Sequence, residues 1–383
     1  MPYFELRIES PIRPDEYQVK ARVVGPGWAL PYVFEKAEFN MASIEKDFSA
    51  IRKREAWIDL QEMDSKCRTI GFLLFQTFFR GNIGRRYSDY VRSLVDQPDN
   101  LMEPMVRLFL PEGLHECPWE LLRTELLPNT REHRDFRLYI ARRGIIVRYS
   151  SEARLSLNPP KLPHPLPLLW IVASPGRDIP RPDPPSNPNV IWVPIRPGRT
   201  FESFNEHILR TKGFLFHGHA ELTKDKGVVL NFEDSAGRTN QVPAGRVASK
   251  TQNARTQLVV LSACRTASFS ESDFAETAVG QLLFDGYPAL AIAYQAEIDV
   301  LAGEAFVNVF FENLYSHSLL QCVNAARTAI LDLAGAAADD DARIAIDRAS
   351  RDWWVPVLYA TTSNPDLVFQ KPNDPALERL GQI

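Results

Sequence analysis

The chain has 383 residues, 45% of them apolar and 24% charged, with a formal net charge of −4. That composition belongs to a globular protein long enough for two lobes, and it lacks the basic surplus of a nucleic-acid-binding surface. Cys67, Cys117, Cys264 and Cys322 are widely spaced and form no CxxC pair, which argues against a zinc site or a disulfide scaffold and fits a reducing cytoplasm.

The first residues, MPYFELRIESPIRPDE, lack a basic stretch followed by an apolar core, so no signal peptide is expected. Tyr3–Ile8 and Gln18–Val24 alternate like the strands of a hairpin turning near Pro14–Glu16. Ser43–Phe79 and Asn82–Val95 carry helical patterns, and Met105–Leu110 and Gly144–Val147 are strand candidates separated by a helical LLRTELL. The basic run Arg131–Arg148 reads as a solvated face. This half is either a second copy of an α/β layout or an extension of one sheet.

Two proline clusters follow, Asn158–Pro167 and Pro175–Pro188. The first is the expected junction between an N-terminal lobe, 1–157, and a C-terminal lobe, 168–383. Beyond it, Leu168–Ser174, Val190–Ile195, Gly213–Phe216, Gln257–Leu261 and Tyr287–Ala293 read as buried strands, with Val228–Phe232 in a hairpin excursion. Helical patterns cover Phe201–Arg210 and about Phe274–Phe284; two more carry Phe306, Val309, Phe310 and Leu314, then Leu319, Val323, Ala326 and Ile330. Trp353 and Trp354 read as core before a last strand. Apolar strands alternating with helices predict an α/β protein with a mostly parallel sheet covered on both faces. The longest apolar run, Pro288–Tyr294, is too short to span a bilayer, so no membrane insertion is expected.

In such sheets, function sits beyond the carboxyl ends of the strands. Gly213–Phe216 delivers His217, Gly218 and His219, and Gln257–Leu261 delivers Ser262, Ala263 and Cys264. Parallel strands put a thiol and an imidazole on one rim, where the imidazole can lower the thiol pKa and later protonate a leaving amine. Either histidine could serve. No P-loop, GxGxxG or HExxH occurs, so neither a nucleotide cofactor nor a catalytic metal is expected.

GFLFHGHAEL, QLVVLSACRTA and the helical pattern after them resemble the CHAT peptidases, relatives of caspases and separases in clan CD; GLHECPWELL, GIIVR and DWWVPVLY extend the resemblance over most of the chain. Ala263-Cys264-Arg265 matches the Ala-Cys-Arg core of caspases, whose histidine lies about 50 residues upstream; Ser262 and Thr266 depart from that pattern. The resemblance implies a caspase-like three-layer sandwich with an N-terminal inactive caspase-like lobe. It implies Cys264 as nucleophile and His219, in Gly218-His219-Ala220, as general base, with His217 as the competitor or as an orienting residue behind the dyad. Ala220 replaces the family's usual glycine. The oxyanion hole would combine the backbone N–H of Cys264 with that of Ala220 or Gly218. Glu297, Asp299 and Asp273 are candidates for the S1 pocket, with Asp299 alternatively the N-cap of the next helix. The activity implied is regulated cleavage of a protein partner through a thioester acyl-enzyme, by analogy a gasdermin-like pore-forming protein in antiviral defence, under a separate sensor or activator. A catalytically idle scaffold binding partners in the same groove is the alternative.

Overall fold

The chain divides into two units, Met1–Ala153 and Arg154–Ile383, in a computed structural model describing residues 2–53, 60–95, 104–124, 140–151, 155, 162–173, 183–194, 200–223, 225, 227–263, 266, 277–284, 288–333, 349, 351–362 and 365. In the first unit, β1 (Tyr3–Ile8) and β2 (Glu16–Gly25) form the expected antiparallel hairpin, pairing Tyr3 with Val24 and Ile8 with Val19. Asp15 makes the turn at φ 64°, a left-handed conformation that aspartate tolerates better than most residues. β3 (Trp28–Ala29) and β4 (Val33–Glu38) pair with the other edge of β2. On its far side β1 runs parallel to β5 (Met105–Leu110), and β5 parallel to β6 (Ile145–Ser150). All six residues of β5 are buried, as a central strand covered on both faces requires.

The helices of this unit are α1 (Ala42–Lys53), α2 (Leu60–Phe78), α3 (Gly81–Val95) and the single turn α4 (Ile140–Arg143). Phe75 and Phe79, at four-residue spacing, stack at 4.8 Å, and Phe4 of β1 meets Tyr87 of α3 edge-on at 5.2 Å.

Two expectations fail here. LLRTELL is not helical over its described part: a 3₁₀ turn, Trp119–Leu121, ends at Leu122, whose ψ of 122° is extended. The Arg123 N–H then donates to the Gly71 carbonyl of α2. Gly71 allows this approach, since a Cβ there would lie 1.8 Å from the Leu121 carbonyl oxygen. Packing against a neighbouring helix overrides the leucine spacing. Arg148 is also not on a solvated face. It is fully buried, paired with an equally buried Glu120, and donates to the His115 carbonyl at 2.7 Å. Residues 125–139, with most of the remaining basic run, lie outside the described residues.

The second unit follows the alternation read from sequence: β7 (Leu166–Val172), β8 (Val190–Pro194), α5 (Phe201–Ile208), β9 (Gly213–Gly218), a small antiparallel sheet of β10 (Ala220–Thr223), β11 (Gly227–Glu233) and β12 (Thr239–Pro243), then α6 (Ala244–Ala254), β13 (Leu258–Ala263), α7 (Ala278–Phe284), β14 (Leu290–Tyr294), α8 (Val300–Asn313), α9 (Leu319–Asp332) and β15 (Pro356–Ala360). The main sheet has the order β15-β14-β13-β9-β7-β8, parallel except for β15. α6 was not anticipated. Its buried stripe is Ala244, Val247, Ala248 and Thr251, correctly spaced but built of small and polar residues. Phe204, Phe214, Phe216 and Phe232 pack their rings at 5.2–5.7 Å and join α5, β9 and β11 in one core. Trp353 and Trp354 are buried, as expected. Among the described residues no helix is long and apolar enough to cross a membrane.

Candidate active site

The site is defined by two neighbouring parallel strands. β9 and β13 pair from Gly213↔Leu258 to Gly218↔Ala263, so they end level with each other. His219 is the next residue on one strand. Cys264 is the next on the other and lies outside the described residues, as does Asp273.

His217 sits opposite Ser262 in this register, its Nδ1 3.0 Å from the Ser262 hydroxyl. The Tyr294 hydroxyl, on β14, donates to the same Ser262 oxygen at 3.3 Å. Burial lowers the His217 pKa, and the neighbouring His219 lowers it further, so this imidazole is neutral at pH 7 and held by hydroxyls within the sheet. The His219 carbonyl accepts the Asn231 N–H at 2.9 Å, which ties the turn after β9 to β11. Both imidazoles are partly exposed.

The backbone donors follow from ladder alternation. Because Asn231 donates to the His219 carbonyl and Ala220 pairs with Leu230, residues 219 and 221 face β11 while the N–H of Ala220 turns away from it. In β9 the His217 carbonyl accepts from Ala173 on the β7 side. The Gly218 N–H therefore turns towards β13, into the ladder. Of the two predicted oxyanion donors, Ala220 is the one directed away from its sheet. Gly218 is still needed as glycine, because a Cβ there would lie 2.7 Å from the Ala173 carbonyl oxygen.

The segment after β14 is fixed by the turn preceding β15. The Gln295 side chain donates to the Trp354 carbonyl at 2.7 Å, and its N–H donates to Val355. Asp299 is the N-cap of α8, accepting from Leu301 N–H at 2.9 Å, while its own N–H donates to Asp352 at 2.7 Å. Glu297 is half-buried between these anchors. Asp352, buried to 1% exposure, was missed in the sequence because nothing but its tryptophan neighbours marked it.

Thr266 was also missed. Fully buried, its hydroxyl donates to the Ala263 carbonyl at 3.0 Å and accepts the Tyr294 N–H at 3.1 Å. Its carbonyl accepts from Val279 of α7. The chain is thus pinned on both sides of residues 264 and 265, at Ala263 and at Thr266. Cys67, Cys117 and Cys322 are buried thiols; burial pushes the Cys117 thiol far up, which suits a packed residue and not a nucleophile.

Residues 193–361 match the family model of the CHAT domain. No curated protein matches the chain. Among solved structures, a chain of the Saccharomyces cerevisiae separase–securin complex at 3.0 Å resolution superposes with a TM-score of 0.50 at 10% identity, covering 94% of this chain and 30% of that one. The 2.6 Å structure of the same complex gives 0.48, again at 10% identity with 94% and 30% covered. This chain therefore spans under a third of the length of the separase–securin chain it matches, and the likeness is one of fold. Residues 193–361 thus match the CHAT domain, and the mostly parallel sheet flanked by helices shares its fold with the separase–securin chain.

Proposed function

We propose that the chain is a cysteine endopeptidase in which Cys264 is the nucleophile and His219 the general base and acid. The observation that carries this reading is the β9–β13 register, which makes His219 and Cys264 the next residues on two adjacent strand ends. His219 takes the thiol proton as sulfur attacks the scissile carbonyl. The Ala220 N–H, with that of Cys264, stabilises the oxyanion. Collapse passes the proton from His219 to the leaving amine and leaves a thioester. Water, deprotonated by His219, then releases the acid and restores the thiol. His217 orients this constellation through Ser262 and Tyr294. Asp273 and Glu297 are the remaining candidates for the S1 wall, since Asp299 is committed to capping α8.

The first unit is proposed to be an inactive caspase-like lobe. The parallel strands β5 and β6 support this: they run out into Leu110-Pro111 and Ser150-Ser151, and the His115 imidazole that bonds the Leu110 backbone is buried, as is the nearby Cys117 thiol. The substrate is a protein cut at one or a few bonds under control of an activator. Analogy within the family points to a gasdermin-like pore-forming protein in antiviral defence.

Wild type, Cys264→Ala, His219→Ala and His217→Ala would be incubated with peptides diversified at P1. Turnover should vanish in the first two variants and persist, reduced, in the third. An inert wild type whose Cys264 also resists a thiol-reactive probe would favour the idle scaffold.

A further inference from the structure

We propose that β10 is a docking edge for the substrate residues that follow the scissile bond, which add to it as an extended strand. This rests on the peptidase reading above and concerns a surface outside the dyad. β10 is the end strand of the three-stranded sheet β10-β11-β12. Its ladder phase is fixed twice. Asn231 donates to the His219 carbonyl on the β10 side of β11, and Asp234 donates to the Arg238 carbonyl on the β12 side. With the registers Ala220↔Leu230 and Leu222↔Val228, both place the N–H and C=O of Ala220 and Leu222 away from β11. With the Ala220 N–H assigned to the oxyanion, the strand offers the Ala220 carbonyl and then the N–H and carbonyl of Leu222 outward, an edge that begins one residue after His219. Its Leu222 side chain is 49% exposed, whereas Glu221 is held on the sheet by Asn231 at 2.6 Å and Gln241 at 3.2 Å.

The choice of occupant follows from the chemistry. A general acid must stand beside the leaving nitrogen, so the amine end of the cut bond lies at His219, and the chain attached to that nitrogen departs past the strand that His219 begins. An extended peptide there meets backbone groups with a period of two, the pattern by which strands recognise an exposed edge.

The test uses two substrate forms that share the best P1 residue from a library. One is a coumarin amide, with no residues after the bond; the other is a quenched peptide with four. In the peptide, each amide after the bond is N-methylated in turn. Alternate positions should lose up to about tenfold in kcat/KM and the intervening ones little, since one lost hydrogen bond is of that size. Leu222→Pro removes an outward N–H, together with the exposed leucine side chain, and none of the bonds to β11, which an edge strand tolerates. It should cut peptide turnover by a similar factor and leave the coumarin amide unaffected. A flat N-methyl profile, with the coumarin amide still cleaved, overturns the docking edge and leaves the peptidase reading standing. If wild type cleaves neither form, the peptidase reading fails and takes the docking edge with it.

Discussion

Thr266 illustrates how one hydroxyl can define a site without touching substrate. It joins the end of β13 to the start of Tyr294 on β14 and, through its backbone, to α7. Thr266→Val keeps the shape and removes the hydroxyl, leaving a buried Tyr294 N–H without its acceptor. A buried donor deprived of its partner costs about 1–3 kcal/mol. Urea unfolding should show a loss of that size, and kcat should fall more than KM rises, because Ala263 and Thr266, which this hydroxyl ties together, flank the proposed nucleophile in sequence. Thr266→Ser, which restores the hydroxyl, should recover most of both. An unchanged kcat in Thr266→Val would remove Thr266 from any positioning role. In the sequence this residue registered only as a departure from a caspase pattern, because its partners, Ala263 and Tyr294, come together only in the folded sheet. His217 and His219, by contrast, were recognisable as a strand-end pair, since both lie within three residues of an apolar run. Which of them faces Ser262 needed the register.

At the scale of elements, legibility followed periodicity. The strands of the second unit are short apolar runs between breakers, and they appear within a few residues of their expected bounds. α6 was missed and LLRTELL, over its described residues 121–124, was misread, for opposite reasons: one buries small residues that carry little hydrophobic signal, and the other is leucine-rich yet is drawn out by packing on Gly71. The junction of β9 and β10 is the element on which the proposed chemistry depends, and Gly218 is its tightest point. The added methyl of Gly218→Ala meets the Ala173 carbonyl oxygen at 2.7 Å and the Phe216 ring at 3.0 Å. Neither a backbone carbonyl nor a core phenylalanine can move away freely, so overpacking of about 1–3 kcal/mol is expected. The strain falls on the turn that holds His219 and Ala220. Activity should therefore drop beyond what a comparable stability loss elsewhere causes. Ser318→Ala, which removes the capping box of α9, supplies that comparison at about 1 kcal/mol. Equal activity in the two variants would mean that the junction has no special claim.

At the scale of the molecule, the first unit carries its own buried polar centre, and it makes stability depend on pH. His115 is fully buried near Arg148; burial first, and then the guanidinium charge, lower its pKa to about 3, against a hydrogen bond with the Leu110 backbone that raises it. The ring therefore stays neutral in the folded chain down to about pH 3, while in the unfolded chain it takes up a proton below its ordinary value of 6.5. The unfolded state then holds the extra proton, so stability is complete above pH 6.5 and declines as pH falls towards 3, at about 1.4 kcal/mol per pH unit for one proton. His217, also lowered by burial, adds to the loss in the same direction. Urea midpoints of wild type should fall steadily from pH 7 to pH 5. His115→Leu, of similar bulk and without a titrating group, should lower stability at pH 7 yet flatten this dependence by about one proton. A slope identical to wild type would mean that His115 is not the group responsible. Activity gives an independent check, because His115 belongs to the unit that contributes neither His219 nor Cys264. At pH 7, with folding still complete, the His115→Leu variant should cleave the coumarin amide at the wild-type rate, and a lost rate in a fully folded variant would show that the first unit acts on the chemistry itself.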